Sequence, residues 1–325
     1  MCDKHDDIQK IVDQLRTSTL IKERVFGNIS SFNFTRKAFY SSAWNELTVR
    51  ARGMFIDTVE NRIVARGYDK FFNVGENKET SIECLGKKMM FPLSVYQKEN
   101  GFLGMISFNA KTNDLFFATK SMCDGPYVDM LKKIFYIMDD VNVELVKSIL
   151  HDLDATMLVE VIDPVNDPHI IEYEKAHIVL LDVVKNTWKM QKVSYEELLM
   201  ISDCVHIPCK ELYSVIRSWD EFEEHLNDWN RDDFVGDNGT PIEGFVVEDA
   251  AGYMVKDKTA YYKMWKQYRW KSDKAIHSSY QEDDPFLVWV NEKIQGGANL
   301  DGLSIIDLRN MYEEDGHCDR EIHIR

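Results

Sequence analysis

The chain lacks the features that would assign it to a membrane, a secreted scaffold or a zinc module. No apolar run approaches the ~20 residues that a bilayer-spanning helix requires, so no membrane partner is expected. The six cysteines, at 2, 84, 123, 204, 209 and 318, include no Cys-x-x-Cys pair. Zinc ribbons and disulfide frameworks depend on such spacings, and scattered thiols suit a reducing compartment. Cys204, His206 and Cys209 come nearest to a metal cluster, but Pro208 between them fits a loop. The amino terminus, Met1-Cys2-Asp3-Lys4-His5-Asp6-Asp7, is polar and acidic, and reads as neither a secretory signal nor a transit peptide. A cytoplasmic location is therefore expected, in the host cytoplasm if the source is viral. Internal repeats and low-complexity segments are missing as well. Positive charge is in short supply: 39 Lys and Arg face 55 Asp and Glu, for a net charge of −16. Such a chain is a poor general coat for nucleic acid, because phosphate contacts need cations. Any nucleic-acid partner must meet a local basic patch.

One such patch exists. Residues 256–274 hold seven Lys or Arg, at 256, 258, 263, 266, 269, 271 and 274, against Asp257 and Asp273. Tyr261, Tyr262, Trp265, Tyr268 and Trp270 are interleaved with them. Alone, the stretch also reads as a solvated helix with an aromatic packing face. With 325 residues, 44% hydrophobic and 29% charged, the chain has the length and composition of a globular protein with one large domain and a small appendage.

Periodicity predicts a helix over Asp6–Arg16, with Ile8, Ile11, Val12 and Leu15 at helical spacing. Val49–Asp57 and Arg62–Arg66 read as strands around a turn at 58–61, and Phe102–Asn109 and Leu115–Lys120 as a second hairpin. Residues 127–150 are helical in two pieces broken near Asp139-Asp140, while Thr156–Asp163 and His177–Val184 are apolar enough for buried strands. Helices are expected at Tyr195–Ser202 and Asp220–Trp229, then a hairpin of Phe245–Glu248 and Tyr253–Lys256. Three helices follow, near 259–271, 285–295 and 303–314, with Gly296-Gly297 separating the last two. The expected fold is α+β: antiparallel sheets with flanking helices, plus a small C-terminal helical region. The boundary is drawn between residues 1–260 and 261–325.

Against that frame, three short motifs occur in order: Lys98-Glu99-Asn100-Gly101, Glu243-Gly244-Phe245-Val246 and Lys256-Asp257-Lys258. An amine, carboxylates and two further cations, carried on separate hairpins, are what an attack on a nucleotide α-phosphate needs. A lysine is nucleophilic only when neutral, and nearby cations oppose its charged form. Lys256 and Lys258, two apart on a strand, project to one face and can reach a triphosphate. Glu243 offers the hard oxygen that Mg²⁺ or Mn²⁺ selects. Glu160 interrupts the apolar run Leu158-Val159-Glu160-Val161-Ile162, and a buried carboxylate costs several kcal/mol unless it finds a partner. Gly101 and Gly244 allow close backbone approach to a base or phosphate. Taken one by one, each motif also fits an ordinary turn or a solvated strand edge.

Together, the motifs Lys-x-x-Gly, Glu-Gly-x-Val and Lys-x-Lys resemble those of the covalent nucleotidyltransferases, the polynucleotide ligases and messenger-RNA capping enzymes. Ala51-Arg52-Gly53-Met54-Phe55 followed by Tyr68-Asp69-Lys70-Phe71-Phe72-Asn73 is similar to the upstream signature of tRNA-repair RNA ligases. These are the bacteriophage RNA ligase 1 type and the ligase domain of fungal tRNA ligase, whose nucleotidyltransferase fold is ATP-grasp-like. The resemblance spans roughly residues 45–265. It implies an ATP-dependent RNA ligase that forms a lysyl-adenylate on Lys98, passes AMP to an RNA 5′-phosphate, and seals to a 3′-hydroxyl, with tRNA among the possible substrates. It further implies that Arg52 and Lys70 contact the triphosphate and Phe72 supports the nucleotide pocket. By the same resemblance Lys120, in Ala118-Thr119-Lys120-Ser121, is the basic residue of a second motif. Glu160 would bind the ribose, Glu243 the metal, and Lys256 and Lys258 the phosphates, with Gly101 and Gly244 beside the nucleotide. Tyr262 matches an aromatic position after the last motif, and with Lys263, Lys266 and Arg269 is expected on the RNA side. Neither a phosphate-loop kinase signature nor a phosphodiesterase motif is found, so a separate kinase-phosphatase is expected to heal the ends first. The alternatives are a capping-type guanylyltransferase and a catalytically silent RNA-binding module.

Overall fold

Short strands joined by tight turns organise much of the chain into three antiparallel sheets. The computed structural model describes residues 4–138, 140–278 and 280–317. In chain order the strands are β1 (Ile21–Phe26), β2 (Ile29–Phe34), β3 (Arg52–Asp57), β4 (Arg62–Arg66), β5 (Phe72–Asn73), β6 (Leu93–Gln97) and β7 (Phe102–Asn109). They continue with β8 (Asp114–Thr119), β9 (Ala155–Ile162), β10 (His177–Lys185), β11 (Leu212–Ile216), β12 (Gly244–Glu248) and β13 (Met254–Lys258). The chain divides into two compact units that alternate along the sequence. One draws on residues up to 81, 101–162 and 176–211, the other on 82–100, 163–175 and from 212 onward.

The first unit holds two four-stranded sheets, ordered β1-β2-β3-β4 and β10-β9-β7-β8. Every residue of β9 is buried, which is why its sequence is an apolar run and not an alternation. Leu131, Phe135, Val146 and Leu150, from the helices Pro126–Ile137 and Val143–Leu153, pack against Met157, Val159 and Val161. Each such side chain contributes about 1.5–3 kcal/mol by leaving water. Hydrogen bonds between the sheets, Arg66 N to Thr156 Oγ1 at 3.2 Å and Ser107 Oγ to Val64 O at 2.6 Å, satisfy polar groups in that interior.

In the second unit, strands run in the order β11-β6-β12-β13. Its C-terminal part packs the helices Ala260–Ser278, Pro285–Gln295 and Ile305–Glu314 around Trp265, Phe286, Trp289 and Tyr312. Asp284 caps the middle helix through the amides of Phe286 and Leu287, with Pro285 at its first position. A Ser304–Asp307 capping box opens the last helix.

The α+β class, the hairpins and the helix order agree with the reading of the sequence. Boundaries moved where side chains compete for backbone amides. Val49 lies in a short helix, Glu46–Arg50, because Asn45 and Thr48 form a capping box, so the strand begins at Arg52. Asp163 ends β9 by accepting hydrogen bonds from the amides of Val165 and Asn166. The helix expected near 259–271 continues to Ser278. The helical break near Asp139-Asp140 falls between Ile137 and Val143, with Asp139 itself outside the described residues. Among the described residues no helix is long and apolar enough to cross a membrane. His206 is the left-handed cap of the helix Tyr195–Val205 (φ 58°), and its Nδ1 lies 2.7 Å from Asp140 O.

Candidate active site

Glu243, 3% exposed, is the hub of the charged groups in the second unit. Its Oε2 accepts from Lys98 Nζ at 3.0 Å and from Asn100 Nδ2 at 2.8 Å, and its Oε1 lies 2.7 Å from Lys258 Nζ. Strand register produces this arrangement. β12 pairs with both β6 and β13, placing Gly244 opposite Lys258, and Lys98 N donates to Gly244 O at 2.9 Å just beyond the end of β6. Only glycine fits at 244, because a Cβ there would stand 2.1 Å from Asp257 O. Burial works against the Glu243 carboxylate, but Lys98 and Lys258 together outweigh it and hold its pKa below the ordinary 4.5. Glu243 is thus an anion at neutral pH. The ammonium of Lys258 also sits 4.2 Å above the ring of Tyr262. Lys256, opposite Val246 in the ladder, lies on the same face of β13 as Lys258.

Asn100 does more than the sequence suggested. Besides donating to Glu243, its side chain accepts from Ile171 N at 3.1 Å through Oδ1, and its backbone N–H donates to Tyr173 Oη at 2.8 Å. Tyr173 in turn donates to Glu99 Oε2 at 2.8 Å. The middle of the Lys98 motif is therefore held by a segment, 163–175, that carries no periodic signal. Asparagine in the motif was the available clue, since its amide can donate to Glu243 and accept from a backbone at once, which aspartate cannot do.

Within the first unit, Glu160 on β9 is 8% exposed and accepts from Gly101 N at 3.0 Å through Oε1. This hydrogen bond gives the carboxylate in the apolar run a partner. A Cβ at Gly101 would meet Val161 O at 2.1 Å, so glycine is again required by close approach. Arg52 opens β3, and its Nη1 is buried with no hydrogen-bond partner among the described residues. Burial pushes the Arg52 guanidinium down, partly offset by the charge of Glu160. Lys70 is lowered by burial and by Arg52 and Lys120, against the ion pair with Glu76 at 3.2 Å. Lys120 is lowered by burial, Arg52 and Lys22. Lys70 Nζ lies 3.7 Å over the ring of Phe72 and 5.4 Å from that of Trp44. Arg52, Lys70 and Lys120 thus sit within electrostatic reach of one another with their positive charge incompletely compensated.

A family model described as RNA ligase matches residues 50–268. The chain belongs to the RNA ligase family. Among curated relatives of this family member, RNA ligase 1 of bacteriophage TS2126 is 25% identical over 239 residues, which is 71% of this chain and 55% of that protein. tRNA ligase 1 of Schizosaccharomyces pombe is 35% identical over 98 residues, 28% of this chain and 12% of that protein. The chain therefore spans about half or less of the length of the curated relatives it matches. In three dimensions it resembles an archaeal ATP-dependent RNA ligase, with a TM-score of 0.56 at 14% identity over 96% of this chain and 78% of that one. The ligase fold is shared.

The structure brings Lys98, Glu243 and Lys258 together in one unit, and Arg52, Lys70, Phe72 and Lys120 together in the other, where Gly101 and Glu160 are joined by their hydrogen bond. Of the expected RNA-side residues, Lys266 and Arg269 are exposed. Tyr262 is buried in the C-terminal core beside Lys258, and Lys263 is engaged with Asp257 at 3.1 Å and Asn230 Oδ1 at 2.6 Å. Sequence reasoning named Asn100 only as a motif member and missed Tyr173 and Trp44.

Proposed function

We propose that the protein is an ATP-dependent RNA ligase that joins RNA 5′-phosphate and 3′-hydroxyl ends through an AMP carried on Lys98. The observation behind this reading is the buried Glu243 carboxylate holding Lys98 and Lys258 together, in a chain that belongs to the RNA ligase family. In the first step Lys98 Nζ, having lost a proton to water, attacks the α-phosphorus of ATP. The N–P bond forms, the bond to the bridging oxygen breaks, pyrophosphate leaves with the bonding electrons, and the nitrogen gives its second proton to water. In the second, an RNA 5′-phosphate oxygen displaces Lys98 from that phosphorus. In the third, a 3′-hydroxyl gives up its proton to water and attacks the activated 5′-phosphate, AMP leaves with the electrons of the broken anhydride bond, and the phosphodiester is complete.

The residues fit the nucleotide. Arg52 offers a buried donor that lacks a partner among the described residues, the kind of group a phosphate oxygen satisfies. Lys70 and Lys120 add charge of the same sign, Lys256 and Lys258 would hold phosphates from β13, and Glu160, Phe72, Gly101 and Gly244 would line the nucleoside side. Glu243 fits Mg²⁺ or Mn²⁺ as one hard oxygen ligand. Among the described residues no three His, Cys, Asp or Glu side chains form a cage, so phosphate and water would complete the shell. Bound there, the metal would offset charge on the phosphates. In this reading residues 1–260 carry adenylyl transfer and 261–325 serve the RNA. The S. pombe relative, named as a tRNA ligase, supports tRNA as one substrate. A separate kinase-phosphatase would supply the end groups.

The test is covalent labelling. Purified protein with Mg²⁺ and α-labelled ATP should retain label after denaturation, pyrophosphate should remove it, and Lys98→Ala should abolish it. Label from GTP alone would make the protein a capping-type enzyme, and no label from either nucleotide would make it a silent RNA-binding module.

A further inference from the structure

We infer that Trp270 and Tyr280, bridged by Lys274, form a stacking platform for an unpaired base of the RNA substrate; the inference rests on the RNA reading above. The helix Ala260–Ser278 divides its aromatic residues sharply. Tyr262, Trp265 and Tyr268 are buried in the C-terminal core, whereas Trp270 is 53% exposed. Trp270 is therefore not a core residue, and an indole left half in water gives up hydrophobic stabilisation. Its surroundings are organised. Lys274 Nζ stands 3.9 Å from the centre of the Trp270 ring and 5.4 Å from that of Tyr280, and the two rings lie 6.3 Å apart at 59°. The Tyr280 hydroxyl donates to Glu282 at 2.7 Å, and the same carboxylate accepts from Lys271 at 2.7 Å, so the ring is anchored by its far end.

Charge selects the ligand. Lys266 and Arg269 are exposed on the same helix, whose single acid, Asp273, lies 3.7 Å from His277. In a chain of net charge −16, a local run of cations beside exposed rings suits a polyanion that also presents flat faces. Single-stranded nucleic acid has both properties: phosphates for the cations and free base faces for the rings. Base-paired RNA keeps those faces stacked inside the helix and would use the cations alone.

The experiment measures binding of a fluorescent, 5′-phosphorylated single-stranded oligoribonucleotide of about ten nucleotides to the full chain, with a duplex of equal length for comparison. Trp270→Ala should weaken single-strand binding about tenfold or more, Trp270→Phe should stay within about threefold of wild type, and Lys274→Gln should fall between. Duplex binding and label transfer from ATP to Lys98 should be unchanged in all three. Single-strand affinity within about twofold of wild type in Trp270→Ala would overturn the platform, as would equal losses for duplex, for Phe and Ala, or no single-strand binding by wild type. A wild-type chain that takes no label from ATP would instead defeat the ligase reading, so the two failures are distinguishable.

Discussion

In the second unit two lysines lie against one carboxylate, whereas in the first Arg52, Lys70 and Lys120 crowd together with burial acting on all three. Lys98 and Lys258 have their counter-charge built in, so their geometry is fixed before any substrate arrives. The Arg52 group has only partial compensation, from Glu160 and Glu76, and keeps a buried donor without a partner among the described residues. In the ligase reading proposed above, the contrast would separate two jobs. A nucleophile must be aimed, which calls for a resident partner. A phosphate receptor must be hungry for an anion, which calls for the partner to be missing until the ligand brings it.

Four measurements would break or sharpen that contrast. The largest effect is expected for Glu243→Gln, which leaves Lys98 and Lys258 without their shared anion. Stability should fall by about 3 kcal/mol, the lower end for a broken buried pair because both lysines are partly exposed, and labelling should fall with it. An unfolding midpoint equal to wild type would mean the carboxylate does not organise the lysines. Next is Arg52→Leu. Labelling by ATP should drop about a hundredfold, equivalent to about 2.7 kcal/mol, while stability holds or rises because an incompletely paired buried charge has gone. A variant that loses stability as well would show that Arg52 belongs with the fully paired set. Third, tripolyphosphate alone should raise the melting temperature of wild type, by about 1.4 kcal/mol of linkage at a tenfold excess over Kd, and should do little for Arg52→Leu. Equal shifts in both proteins would place the anion elsewhere. The smallest effect is confined to acid. The pKa of Glu243 is lower in the fold than the ordinary 4.5, so its contribution is complete above that value and lost as pH falls through the folded one. The stability gap between wild type and Glu243→Gln should be flat from neutral pH down to about 5 and begin to narrow below about 4.5. A gap that stays constant under acid would contradict the pairing.

Much of this was legible in the sequence, and the reasons differ by residue. Glu160 was visible because a carboxylate in an apolar run has to be accounted for, and its partner is the amide of Gly101. Gly101 and Gly244 were visible as motif members, and each stands where a Cβ would strike a backbone oxygen. Lys98, Glu243 and Lys258 were legible as an ordered set although they are far apart in the chain. Tyr173 was not legible, because it acts from an irregular segment through a hydroxyl, and neither composition nor period marks such a contact. The β1–β2 hairpin also escaped notice, since Ser30, Ser31 and Asn33 are buried polar residues that break the apolar pattern a strand normally displays. The sequence favoured Tyr262 over Trp270 for the RNA side, yet Tyr262 is buried and Trp270 is exposed, a difference that only packing reveals.

The way the two units alternate along the chain also constrains how the protein can come into being. The first unit takes its last segment from residues 176–211, so a growing polypeptide cannot finish it until residue 211 has been made. Strand β6 must wait still longer, because Gln97 pairs with Phe245, 148 positions downstream (245 − 97). Closing so wide a loop is slow, and the stretch around Lys98 leaves the ribosome well before the strand beside it exists. A product terminated before that point would hold Lys98 without the Glu243 carboxylate that accepts from its ammonium.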